Sequence, residues 1–166
     1  MQKIIFLLLC CSALSASAQE KKVIQLLNDI WKKQNSYQYK SSSFDGDTLQ
    51  IVQPFTITAD KHLQVTYKQY NTGIEKWVTV FQSVPLQKIA TVDKDIAIIL
   101  RTGDEDLVDI TTTTRDEKGG AVVTKNKSQL FLVVVYSQPN NDSFGKKLVN
   151  AFVKAGYDIS TEFWAD

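Results

Sequence analysis

Two periods of apolar residues divide this chain. Within residues 21–35, Val23, Leu26, Leu27, Ile30 and Trp31 recur at helical spacing, so one side of a helix is apolar. Lys32 and Lys33 near its end suit the negative pole of the helix dipole. After a Ser/Asp/Gly-rich loop at residues 41–47 the period shortens to two. Residues 49–52 and 55–58 read as short strands separated by Gln53-Pro54, where proline's missing N–H marks an edge, a bulge or a break. Leu63, Val65 and Tyr67 alternate with Gln64, Thr66 and Lys68, the pattern of a half-buried strand. A turn at Asn71-Thr72-Gly73 leads to a strand in which Trp77, Thr79 and Phe81 face opposite to Val78 and Val80.

The rhythm breaks at residues 84–89, which predicts a crossing segment or a single helical turn. Residues 96–100 form a strand, turned at residues 102–106 and answered by residues 107–111 as its hairpin partner. Residues 114–127 read as a charged loop around Gly119-Gly120, with Ala121-Val122-Val123 pairing briefly. Thr111 to Thr114 is a β-branched run suited to a strand edge.

Residues 130–136 are apolar on both faces, which predicts a strand covered on both sides. A second amphipathic helix follows a Pro/Asn turn. Asn141, Asp142 or Ser143 offers a side-chain oxygen to its unpaired first-turn N–H groups. Phe144, Leu148, Ala151, Phe152 and Ala155 make its apolar stripe, widened by Val149 and Val153. Gly156 stands where a left-handed residue would stop it. These elements predict an α+β domain: a curled antiparallel sheet or open barrel of about six or seven strands, with an N-terminal helix and a closing C-terminal helix.

In the order of elements from Leu107 to Gly156, and more loosely from Thr48, the chain resembles the pleckstrin-homology-like barrels. It is similar as a whole to small exported bacterial proteins, with Val23-Ile24-Gln25-Leu26-Leu27-Asn28-Asp29-Ile30 following the leader. The first resemblance implies a binding scaffold. The basic first hairpin of its phosphoinositide-binding members is reduced here to Lys61 beside His62, and the closing helix has no Trp. That lipid is therefore not implied.

Composition changes this picture at the N-terminus. Lys3, an apolar run from Ile4 through Cys11, and Ala16-Ser17-Ala18 read as a cleaved signal peptide over residues 1–18, leaving one domain over residues 19–166. The run is shorter than the ~20 residues a bilayer span needs. Both cysteines, Cys10 and Cys11, leave with it, and with them disulfides, thiolate metal sites and Cys nucleophiles. The 19 Lys and Arg against 18 Asp and Glu balance once Lys3 is removed. A neutral domain gives no electrostatic case for nucleic acid or an anionic membrane.

Candidate chemistry is sparse. His62, the only histidine, would have to serve any Ser/His/Asp triad, and no G-x-S-x-G elbow accompanies it. Asp45 and Asp47, Asp93 and Asp95, and Asp104-Glu105-Asp106 concentrate carboxylates, but their spacing fits turn chemistry better than a calcium loop. Lys125 and Lys127, with Lys146 and Lys147, read as solvated faces. The sequons at Asn126 and Asn141 carry no weight in a bacterial exported protein. Tyr157, Phe163 and Trp164 predict a tail packed back on the domain. The resulting expectation is an exported, non-enzymatic binding or interaction module of the periplasm or exterior, with an unidentified protein or small-molecule partner. It has no catalytic, cofactor or metal residues; the alternative is a small hydrolase using the carboxylates of Asp45, Asp47, Asp104 or Asp106.

Overall fold

The structure is a computed structural model and describes residues 2–40, 48–95, 97–103, 105–134 and 142–165. α1 (Gln2–Lys40) precedes β1 (Leu49–Ile57), β2 (His62–Asn71), β3 (Lys76–Pro85) and a 3-10 turn (Leu86–Lys88). Then come β4 (Ile89–Lys94), β5 (Ile98–Thr102), β6 (Val108–Arg115), β7 (Ala121–Ser128), β8 (Leu130–Val134) and α2 (Asp142–Lys154). The strands form two antiparallel sheets, a larger one ordered β1-β2-β3-β6-β7 and a smaller one ordered β4-β5-β8, and they do not close into a barrel. The α+β class is as predicted. Among the described residues, the single curled sheet of six or seven strands is replaced by eight strands in two sheets.

Three pairings account for the difference. β5 does not pair with β6; it lies between β4 and β8, while β6 crosses to β3. β4 escapes the period-two pattern because its register shifts between Ile89 and Thr91, and because Asp93 and Lys94 are buried among its apolar residues. The predicted loop at residues 114–127 is mostly hairpin, with β6 and β7 paired from Val108↔Ser128 to Arg115↔Ala121. Thr111 to Thr114 therefore sit inside the sheet between β3 and β7, not on its edge. The 3-10 turn and the proline bulge are where the sequence puts them, since β1 shifts register on both sides of Gln53.

The core gathers between the two sheets and the helices. Val23, Leu27 and Trp31 of α1 are buried, with the Trp31 ring edge-on to Phe55 and Tyr67 at 5.1 and 5.4 Å. α1 runs beyond the predicted residues 21–35 at both ends, and at its C-terminal end the half-buried Gln38 bonds to the Leu49 backbone. α2 buries Leu148, Ala151, Phe152 and Ala155, while Val153 stays exposed rather than widening the stripe. It packs on α1 and β4, so the last helix lies beside the first instead of shutting an open barrel end. β8 buries Phe131 and Val133 on one face, while on the other Leu132 packs partly against the core and Leu130 is exposed. Asn141 and Tyr136 lie outside the described residues.

Gly156 stops α2 as predicted. At φ +92° it lets the N–H of Tyr157 reach the Phe152 carbonyl at 3.1 Å while its own N–H reaches Val153 at 3.0 Å. The Tyr157 and Phe152 rings meet at 6.1 Å, the apolar contact that accompanies this type of helix end.

Three side-chain amides act as substitute strands. Asn28 accepts from the Phe55 N–H at 2.8 Å and donates to the Phe55 carbonyl at 3.1 Å. Gln38 does the same at Leu49, with distances of 2.9 and 2.6 Å. Gln82 of β3, 2% exposed, accepts from the Leu132 N–H at 3.0 Å and donates to the Leu132 carbonyl at 3.4 Å, joining the two sheets. It also donates to the Tyr67 hydroxyl at 3.3 Å. Burial pushes the pKa of that phenol up to about 12, so it stays protonated at neutral pH. Replacing Gln82 by Leu strips the Leu132 N–H of its partner inside the protein. The expected loss is about 1–3 kcal/mol, read as a lower urea midpoint with unchanged slope. Gln64→Leu on the half-exposed side of β2 serves as a control, expected within about 0.5 kcal/mol of the parent.

Candidate functional site

The outer face of the larger sheet carries Thr66, Lys68 and Tyr70 from β2, Trp77, Thr79 and Phe81 from β3, and Thr111, Thr113 and Arg115 from β6. The register aligns Lys68 with Thr79 and Thr113 across three strands, and Tyr70 with Trp77. None of these side chains is fully buried, whereas the opposite face supplies Val65, Tyr67, Val78, Val80 and Gln82 to the core. Strand alternation thus sends the apolar set inward and leaves an aromatic, hydroxyl and cationic set outward.

At the end of this face β2, β3 and the β6–β7 hairpin line a shallow hollow of ≈ 600 Å³. Lys68, Lys76 and Arg115 rim it, with Trp77, Thr79 and Thr113 in the floor. Trp77 is 40% exposed and held edge-on by Tyr70 at 5.6 Å. The one carboxylate in the rim, Asp116, accepts backbone N–H groups from Lys118 at 2.9 Å and Gly120 at 2.6 Å, so it serves its own turn. Lys76 and Arg115 donate only to carbonyls, at Arg115 and Gly119, and Lys68 has no ion-pair partner among the described residues. Such a surface can hold a negative group near the cations and an apolar or ring face on the indole.

The buried ionisable groups serve structure instead. Asp93 accepts from Thr91 Oγ1 at 2.6 Å, Arg101 Nε at 3.4 Å, and the N–H groups of Glu162 and Phe163 at 3.1 and 3.2 Å. Burial alone would raise its pKa, but these donors outweigh it and hold the carboxyl below the usual aspartate range. The tail so anchored runs parallel beside β4, with Val92 bonded to Ser160 and Lys94 to both Phe163 and Ala165. Trp164 packs back as predicted, its ring so near Gly145 that a Cβ there would stand 2.6 Å from it. Phe163 does not pack back and is 55% exposed.

Glu20 forms a second anchor. Its carboxylate takes Lys61 Nζ at 2.7 Å and the Tyr157 hydroxyl at 2.6 Å, tying α1 to the β1–β2 turn and to the end of α2. Burial opposes its charge, yet the Lys61 and Tyr157 hydrogen bonds leave its pKa lowered; burial and Glu20 together raise that of Tyr157.

His62 occupies a place that motif reasoning missed. Its Nδ1 lies 3.3 Å from Ser83 Oγ and its Nε2 lies 3.7 Å from Asp60. The order is that of a triad, but the geometry is not. The Asp60 contact exceeds hydrogen-bond length, and the Asp60 carboxylate already takes Thr58 Oγ1 at 2.5 Å. Ser83 is 5% exposed and shared with Gln64, so its oxygen has no open side for a substrate carbonyl. The clustering follows from cross-strand pairing of β2 with β3, which no local motif encodes.

Of the carboxylates singled out in the sequence, Asp45, Asp47 and Asp104 lie outside the described residues. Glu105 and Asp106 are exposed, and Asp93 and Asp95 part company, one buried and one exposed. Among the described residues no three His, Cys, Asp or Glu side chains gather as metal ligands, and no helix is long and apolar enough to cross a membrane. Lys125, Lys127, Lys146 and Lys147 are exposed, with Lys127 3.3 Å from Asp109. Comparison of the chain with protein families, curated proteins and solved structures returned no match.

The Asp93 anchor has a pH signature. Its folded pKa lies below the unfolded one, so its stabilisation is complete above the ordinary aspartate range and is lost as pH falls through the lowered value. Asp93→Asn is expected to cost about 1–3 kcal/mol at neutral pH. Urea melts below about pH 4 should show the parent converging on the variant. A constant gap between the two down to the acid limit would contradict this role.

Proposed function

We infer that this chain is an exported, non-enzymatic binding module of the bacterial cell envelope. The reading is supported by the leader-like N-terminus, with Lys3, the apolar run and Ala16-Ser17-Ala18. Cleavage after Ala18 keeps Glu20, and with it the Lys61 and Tyr157 contacts, in the mature protein. The likeness in element order to pleckstrin-homology-like scaffolds points the same way, although the two sheets stay unclosed.

The observation that carries the reading is the Trp77 hollow. An exposed indole beside Lys68, Lys76 and Arg115, on a face floored by Thr hydroxyls, suits an anionic ligand that also offers a ring face. Acidic oligosaccharides have that chemistry: C–H faces for the indole, hydroxyls for Thr79 and Thr113, and carboxylates for the cations. Of the carboxylates in the hydrolase alternative, Asp106 stands in solvent, while Asp45, Asp47 and Asp104 lie outside the described residues.

Titration with uronic-acid oligomers, against neutral oligomers of equal length, tests this through tryptophan fluorescence. The acidic series should perturb emission, with affinity falling as salt rises. Trp77→Ala should abolish the response, and Arg115→Ala should weaken binding about tenfold. Equal responses to acidic and neutral oligomers, or a response that survives Trp77→Ala, would remove the hollow as the site.

A further inference from the structure

Among the described residues the two sheets have four outer edges, and three of them have backbone groups taken by other parts of the chain. At β1, α1 sets Asn28 against Phe55 and Gln38 against Leu49, and Pro54 with two register shifts breaks the remainder. At β4, the tail bonds to Ala90, Val92 and Lys94. At β8, the Gln82 amide takes both backbone groups of Leu132.

β7 differs from all three. Its eight residues pair with β6 in unbroken register, without proline or bulge. Residues 121–127 are all exposed, Val122 and Val123 about half so. Among the described residues nothing bonds to the backbone groups on its free side. A straight open edge of this length is a template for another strand.

We propose that β7 receives an extended, acidic segment of a partner protein by strand addition. The proposal rests on the binding-module reading but uses the free edge of β7, which meets the Trp77 hollow only at Ala121. Charge selects the occupant. β7 contains Lys125 and Lys127 and no acidic residue, and Lys125 has no carboxylate partner among the described residues. Both lysines share the outer face with Ala121 and Val123, so an incoming strand with carboxylates at alternate positions places them opposite these cations. Its remaining side chains meet the other face, where Val122 and Thr124 lie.

A second copy of the chain is the poorer occupant. With the outer faces aligned, the two-fold β7–β7 registers of greatest overlap set Lys125 directly opposite or diagonal to its counterpart, and β7 supplies no carboxylate between them. The lysines thus disfavour self-pairing in those registers while leaving the backbone template open.

Amide hydrogen exchange on the purified protein tests this with two synthetic peptides of β7's length. One alternates valine and threonine with glutamate, the other with lysine. The glutamate peptide should slow exchange at alternate β7 amides by about tenfold or more, and the lysine peptide should leave them unchanged. Lys125→Glu should reverse that preference, while Trp77→Ala should leave peptide binding intact, which separates this surface from the hollow. The proposal is overturned if the glutamate peptide gives no slowing, if both peptides slow β7 equally, if the protection falls on another strand, or if the free protein dimerises through β7 at the same concentration.

Discussion

A strand edge inside a small domain presents N–H and C=O groups that must be bonded or left to water, and this fold is arranged around that constraint. Splitting eight strands between two sheets creates twice as many edges as one sheet would have. The chain answers with side-chain amides that imitate a neighbouring strand. Gln82 is the central case, because its carboxamide holds Leu132 from the other sheet while donating to the Tyr67 hydroxyl inside the core. Asn28 and Gln38 repeat the device along β1 and fix the position of α1, which in turn brings Trp31 against Phe55 and Tyr67.

The ends of the chain are handled by charge as well as by backbone. Asp93 gathers two tail N–H groups, and Glu20 gathers Lys61 and Tyr157. Each is a buried carboxylate whose donors outweigh its desolvation. Both therefore act as fasteners between elements distant in sequence, and neither has the open side that a general base or nucleophile needs. What faces outward is the set left over: Trp77 with its cations, and the unpaired side of β7.

Local pattern made the helices, their stripes, the Gly156 stop, the Pro54 bulge and the 3-10 turn legible. Each of these is decided by residues within one or two turns of chain. The sequential pairings of β1, β2 and β3 were legible from their turns, but the partners of β5 were not, because the choice of β4 and β8 over β6 is made by long-range packing. β4 itself was hidden by its register shift and by Asp93 and Lys94 in buried positions. The amide docks were invisible for a related reason: Asn28, Gln38 and Gln82 read as ordinary polar positions until a backbone edge is placed beside them. The alternation set Trp77, Thr79 and Phe81 on one face of their strand without deciding which face is outward, and the cations around Trp77 come from β2, β3 and β6 and meet only in the folded sheet.

The most direct test of this account is native-state hydrogen exchange on the free protein, with no ligand present. The account predicts that the amides of Leu49, Phe55, Val92, Lys94 and Leu132 are protected like core strands, while alternate amides of β7 exchange as fast as loop residues. Protection running evenly along β7, or Phe55 and Leu132 exchanging like loops, would contradict it.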